Sequence, residues 1–308
     1  MPTAMPSEPL PPAGSLPPAG PLPPAGAPVP PTPLGAVLAP LRERYASWLG
    51  LDEAQVTRDR EEDPAQVRAI QLVLRLERGE PPSWHDALAL AATGCAAMCL
   101  DTRSEPGGEW HEAIDAYCRG HIRKVARRAR GTQWEATAAL PGLTLTREPR
   151  DGGHTTQVRV LVPGLVTQLD KRVSKLQVGG TDVPLDPPPA APATGPLLTC
   201  YLPDDGNLTA GKLMAQTGHA GMIAAALAAA DDQDVLGRWR DAGCPARVET
   251  VDAAGWGALL AAVHEPAPAW RRERLFAVRD AGFTEVAPGT VTVVARLDPQ
   301  PTQALTSG

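Results

Sequence analysis

The chain has 308 residues, 43% hydrophobic and 21% charged, with a net charge of −6; this is room for one large domain or two modest ones in a soluble globular protein. No apolar run approaches the ~18 residues of a membrane span, and the first 30 residues have neither Lys or Arg nor the apolar stretch of a secretory leader. Five cysteines (Cys95, Cys99, Cys118, Cys200 and Cys244) without a C-x-x-C pair argue against a disulfide framework or a thiolate zinc site and fit a reducing cytoplasm.

The N-terminus repeats Leu-Pro-Pro-Ala-Gly at 10–14, 16–20 and 22–26, and residues 1–40 hold 15 of the 35 prolines. Proline at this density favours extended polyproline II over a packed core, so 1–40 reads as a disordered tail. Asp63-Pro64 then resembles an N-cap with Pro at the first helical position, and Gly79 a stop. Between them Val67, Ile70, Val73 and Leu74 form one apolar stripe. Ser83 and Asp86 resemble a capping box before a small-residue helix over 84–100. A third helix is expected from about 109 to 130, with Arg119, Arg123, Arg127 and Arg130 within an arc of about 80°. Alternation of Val158, Val160 and Val162, with a turn at Pro141-Gly142, places a small β region over 133–162. Residues 41–185 thus read as a mainly helical domain with some β structure, of no assigned role.

Charge is uneven along the chain. Residues 1–105 carry a net −5, residues 106–180 a net +5 and residues 181–308 a net −6. The middle is a basic island, and a local field matters more to a polyanion than the total charge.

Asp186 to Pro196 is Pro- and Ala-rich and reads as a linker. After it strands and helices alternate: a strand over 197–202, a long helix over 210–230, a second helix over 233–242 closed by Gly243, a strand at 247–251, a helix at 254–263, and strands at 275–278 and 291–295. That order gives an α/β fold, with a three-layer domain around a small mixed sheet over 197–300 and a short tail at 301–308.

Two motifs there carry chemistry. Gly206-Asn-Leu-Thr-Ala-Gly211-Lys212-Leu213 has the Gly and Lys spacing of a phosphate loop but Leu where magnesium binding needs Ser or Thr, so nucleotide hydrolysis is disfavoured. On the same helix Lys212, Gln216 and His219 lie within about 60° of one another. Asp280 ends the 275–279 strand and is followed by Gly282 and Thr284. If that strand runs parallel to 197–202, Lys212 and Asp280 meet beyond the carboxyl ends of the strands, where open α/β sheets place their sites. A Lys–Asp pair there can orient water and stabilise a developing oxyanion.

Gly211-Lys-Leu-Met-Ala-Gln-Thr-Gly-His-Ala220, Trp239-Arg-Asp-Ala-Gly-Cys-Pro245 and Asp280-Ala-Gly-Phe-Thr-Glu-Val-Ala-Pro-Gly-Thr290 together resemble the type 2 peptidyl-tRNA hydrolases. The motifs come in the family's order and at similar spacing, and the resemblance covers about 195–300. It implies an α/β domain with a mixed sheet, no metal or cofactor, a homodimer as the assembly, and hydrolysis of the ester between a peptide and the tRNA 3′ end. Its functional lysine, glutamine, histidine, aspartate and threonine fall on Lys212, Gln216, His219, Asp280 and Thr284. Lys212, Asp280 and Thr284 are the expected catalytic residues, with Gln216, His219 and Gly282 on the substrate.

The family's N-terminal arginine falls on Pro203 and the basic residue before its threonine on Phe283, so two cations are missing near the site; Glu285 stands where glutamine is common. Arg123, Arg127 and Arg130 of the basic island are the expected substitutes, contacting tRNA phosphates. The expected function is therefore recycling of tRNA by ester hydrolysis in the cytoplasm. The alternative is an impaired hydrolase-like domain that holds tRNA or a protein without turnover.

Overall fold

The structure is a computed structural model that describes residues 32–48, 63–149, 153–189, 195–280, 285–287 and 289–300. The proline repeats at 10–26 and the 301–308 tail lie outside the described residues. From Thr32 onward the chain is one compact unit. Residues 34–40, expected in the tail, instead form a turn that leads into helix α1 (Ala39–Trp48), because Val37 and Leu38 are buried in the core.

The first sheet contains β1 (Arg68–Arg75), β2 (Arg123–Ala129), β3 (Gly142–Arg147) and β4 (Thr156–Leu161) in the order β2-β1-β4-β3, and the short β5 (Gly164–Leu165) pairs with β1. Helices α2 (Trp84–Leu100), α3 (His111–Arg119), α4 (Gly131–Thr137) and the single turn α5 (Lys171–Ser174) connect and follow these strands. Ser83 caps α2 by accepting from the Asp86 N–H at 3.1 Å, as its spacing predicts.

Two expected helices are strands. Asp63 caps only the turn Pro64–Gln66, and the apolar run behind it is β1. Residues 69–74 are buried on both faces of the sheet, with Ile70, Leu72 and Leu74 on one side and Val73 on the other. A short apolar run has no periodicity that separates a buried strand from a helix. The third helix stops at Arg119 with Gly120 as its cap, and 123–129 is a strand paired in parallel with β1, Leu72 opposite Ala126. Side chains alternate along it, so the arginines do not share a helical face.

The second sheet contains β6 (Leu197–Pro203), β7 (Ala246–Val251), β8 (Leu275–Arg279) and β9 (Val291–Asp298) in the order β7-β6-β9-β8. Its helices are α6 (Ala210–Asp231), α7 (Gln233–Asp241), α8 (Ala253–Ala262) and α9 (Pro266–Glu273). These follow the expected alternation, with α9 added. Strands β6 and β8 are both antiparallel to β9, hence parallel to each other.

The two sheets repeat one topology. In each, a strand, two helices and a parallel strand are followed by a helical connection and two antiparallel strands, and the strand order is the same. The register repeats as well. Ala126, Leu72, Val160 and Leu143 form a row across the first sheet, and Val248, Cys200, Ala295 and Phe276 form the matching row across the second, both facing the shared core. Helices α2 and α6 correspond from their caps, Ser83 and Thr209. They pack on each other reciprocally, the ninth residue after each cap against the twelfth of the other. A Cβ on Gly221 would lie 2.1 Å from the Ala92 carbonyl oxygen, and one on Gly218 3.0 Å from the Cys95 sulfur. Likewise α2 lies against β7 and α6 against β2.

One hydrophobic cluster therefore runs through both sheets and both long helices. The Pro-rich segment at 186–196 joins two sheets of one core. The same burial explains α6, which by length and hydropathy is a helix able to span a bilayer although no such stretch is expected from the sequence; 83% of its apolar window is buried here.

The close approach of α6 to α2 can be measured. Gly221→Ala is expected to cost about 1–3 kcal/mol, the scale of overpacking a tight core. Gly237→Ala, in a helix with nothing within 4 Å of the added Cβ, should stabilise by about 0.5–1 kcal/mol. Urea unfolding of the two variants against the parent checks both signs.

Candidate active site

The start of α6 is built by local chemistry. The Thr209 hydroxyl accepts from the Lys212 N–H at 3.2 Å, closing the first turn. Glu285, from the far side of the site, accepts from both the Thr209 hydroxyl at 2.9 Å and its N–H at 3.0 Å. That carboxylate fastens the segment after β8 to the cap of α6.

One turn into the helix, Lys212 and Asp280 form an ion pair with little solvent exposure, 12% and 7% for the side chains. Gln216, one turn further, donates its amide N–H to the same Asp280 oxygen at 2.6 Å, while its carbonyl oxygen accepts from the Thr292 hydroxyl at 2.6 Å. The Asp280 backbone is held on both sides: its N–H donates to the Thr290 carbonyl at 2.9 Å and its carbonyl accepts from Gly289 at 2.7 Å. A carboxylate thus stands beyond the end of a strand with an ammonium and an amide converging on one oxygen.

These groups border a cavity of about 480 Å³. Its walls come from both parts of the chain: α6 with Lys212, Gln216 and His219, the end of β8, and opposite them α1, β2 and the loop at 178–181. His219 is half-buried. Burial, then the positive charges of Lys124 and Lys212, hold its imidazole well below the ordinary histidine range, so it is neutral near pH 7.

The structure brings together Lys212, Asp280, Gln216 and His219. Gly282 and Thr284 lie outside the described residues. The three arginines expected on phosphates are dispersed. Arg123 is half-buried at the cavity wall. Arg127, further along the same face of β2, is buried, donating to Gln71 at 2.6 Å and to the Leu176 carbonyl at 2.9 Å, and is a structural residue. Arg130 is exposed just before α4. Their helical spacing was incidental to a strand.

Sequence reasoning missed Thr292, Glu285 as a clamp, and Lys124. Thr292 interrupts a valine strand and is buried, a pattern that calls for a hydrogen-bond partner. Lys124 belongs to the basic run set against phosphates, and its reach to His219 was hidden because it depends on a strand read as helix.

The first sheet has an ion pair at the matching place with its charges reversed. Asp86, third after its cap as Lys212 is after Thr209, pairs at 3.0 Å with Arg147, which occupies the place of Asp280 in the row alignment. The fold itself thus accepts either polarity, and only the second sheet combines Lys, Gln and Asp beside a cavity.

A mixed α/β unit thus carries a Lys–Asp–Gln cluster beyond its parallel strand ends. Residues 200–307, about a third of the chain, match the model of a family described as peptidyl-tRNA hydrolase PTH2.

The coupling within the pair is testable. In a double-mutant cycle of Lys212→Met and Asp280→Asn, unfolding free energies should show a coupling above about 1 kcal/mol, as expected for a shielded pair. The exposed Arg238–Asp234 pair on α7 should give about 0.5 kcal/mol or less. Equal couplings would mean that the site pair is solvated.

Proposed function

We propose that this protein hydrolyses the ester joining a peptide to the 3′ end of tRNA, with the chemistry carried by the second sheet. The single observation that supports this most is the convergence of Lys212 and Gln216 on Asp280 at the cavity, in the region that matches the family model.

In this reading Asp280 orients water toward the ester carbonyl carbon and accepts its proton as the C–O bond forms. Lys212 stabilises the negative charge that develops on the carbonyl oxygen. Collapse of the tetrahedral intermediate breaks the bond to the ribose oxygen, which leaves as the hydroxyl after taking up a proton. The products are a free peptide carboxylate and tRNA. Gln216, fixed by Thr292, keeps the carboxylate from rotating. Thr284 orients the same water, and Gly282 permits close approach of the substrate. Arg123, at the cavity wall, and the exposed Arg130 meet tRNA phosphates.

Lys212→Ala and Asp280→Ala should each lower kcat for peptide release from peptidyl-tRNA by about 10²-fold or more, the scale of losing a transition-state electrostatic partner. Binding of tRNA should fall much less. Turnover near that of the parent in a folded variant removes that residue from the mechanism. Tight tRNA binding without turnover in the parent would favour a binding module.

A further inference from the structure

The half-buried Lys124 stands out against the rest of the molecule. It projects from β2 of the first sheet across the interface onto α6. Its nitrogen lies 3.3 Å from the Tyr117 hydroxyl, 3.3 Å from the Ile122 carbonyl, 3.3 Å from His219 Nδ1 and 3.2 Å from the Met222 sulfur. The Tyr117 hydroxyl donates to the Arg123 carbonyl at 2.8 Å, so its oxygen is left to accept from Lys124. Every one of these partners is neutral, and among the described residues Lys124 has no carboxylate partner. A shielded cation without a counter-ion is costly, so its retention calls for a reason beyond stability.

The repeat shows that the fold does not require it. Ile70 pairs with Lys124 in the first sheet and Leu198 with Ala246 in the second, at matching places in the two registers. The tenth residue after the cap is His219 on α6 and Thr93 on α2. A lysine facing a histidine occurs on the side that holds the Lys212–Asp280 pair, whereas the reciprocal place, beside the reversed Asp86–Arg147 pair, has alanine facing threonine.

An ammonium can only donate. Burial lowers the Lys124 pKa; where its nitrogen stays an ammonium, the contact with Nδ1 makes that atom the acceptor and puts the imidazole proton on Nε2. Nε2 is left to the cavity that His219 lines. The other cations around the cavity are Arg44 from α1, Arg123 on β2, Lys212 on α6 and Arg279 at the end of β8, with the His121 imidazole just before β2. The carboxylates there are Asp280 and Glu285, and from α2 the Cys95 thiol lies next to Lys124. Burial pushes that thiol up to about 11, which keeps it neutral. The balance around His219 is positive, which agrees with the depression of its pKa.

We propose that Lys124 is a positioning residue for the site of the second sheet, supplied by the first sheet across their interface, and that it fixes His219 as the neutral Nε2–H tautomer that donates a hydrogen bond to the substrate. The first sheet, with the same topology and no comparable site, thereby acts as a built-in partner that completes the one beside it. The use of the hydrogen bond rests on the ester-hydrolase reading; the tautomer does not.

The test is 15N NMR of the histidines in the full chain, with His219 assigned by the loss of its signal in His219→Gln. The parent should show His219 as the neutral Nε2–H form throughout about pH 5.5–8, without a titration near the ordinary ~6.5. In Lys124→Met, where burial and Lys212 remain, the His219 pKa should rise from its parent value while staying below the ordinary one, and both tautomers should be populated; Lys124→Arg should restore the parent signal. In the kinetic arm, the acid limb for turnover of peptidyl-tRNA should lie at higher pH in Lys124→Met than in the parent, though still below about 6.5. An ordinary titration or an Nδ1–H form in the parent overturns the proposal without need of any variant, as does a folded Lys124→Met whose His219 signals are unchanged. A parent that shows the Nε2–H form but releases no peptide would leave Lys124 in its positioning role and refute the hydrolase reading instead.

Discussion

The close contact of α2 with α6 sets the positions of everything else. Both helices are rich in Ala and Gly, and at Gly221 the backbones approach until no Cβ fits. Large side chains there would hold the two sheets apart. Because the helices touch, each lies on the neighbouring sheet as well as its own, and β2 is brought against the face of α6 that bears Lys212, Gln216 and His219. The cavity is a consequence of that contact. It has one wall from each sheet, and its electrostatics belong to neither alone.

Within the cavity the charges are arranged around a single carboxylate. Asp280 sits among cations and is satisfied by Lys212 and Gln216, with Thr292 and the Thr290 and Gly289 backbone fixing the supporting groups. In the proposed function this is preorganisation: polar groups already held by secondary structure leave little reorganisation for the ester hydrolysis. The reversed pair in the first sheet shows how little the fold alone constrains that chemistry. Asp86 and Arg147 tie a helix to a strand end just as Lys212 and Asp280 do, but without the amide or the cavity they are a structural link.

The second sheet was legible in the sequence because each signal there is local. Alternating strands and helices, the Gly243 stop and the spacing of Lys212, Gln216 and His219 all survive folding unchanged. The first sheet was less legible for a physical reason. Residues 69–74 and 123–129 are strands that depend on pairing with each other, and neither carries a strand's alternation of polar and apolar residues: residues 69–74 are apolar but for Gln71, and the basic residues of β2 mimic helical spacing. Once 123–129 was taken for helix, Arg127 and Lys124 both seemed to belong to a basic run that meets phosphates, whereas Arg127 is a buried link and Lys124 reaches His219 on α6. Local motifs brought out Lys212, Gln216, His219 and Asp280, whereas the Lys124–His219 contact joins residues 95 positions apart.

The central claim, that water attacks an ester carbonyl at the Lys212–Asp280 centre, is tested most directly by isotope labelling. Peptidyl-tRNA would be turned over by the full chain in water enriched in 18O, with mass spectrometry of both products after a single turnover. The account predicts one 18O in the carboxylate of the released peptide and none at the ribose hydroxyl of the tRNA. Unlabelled peptide, label on the ribose, or no release at all would contradict it.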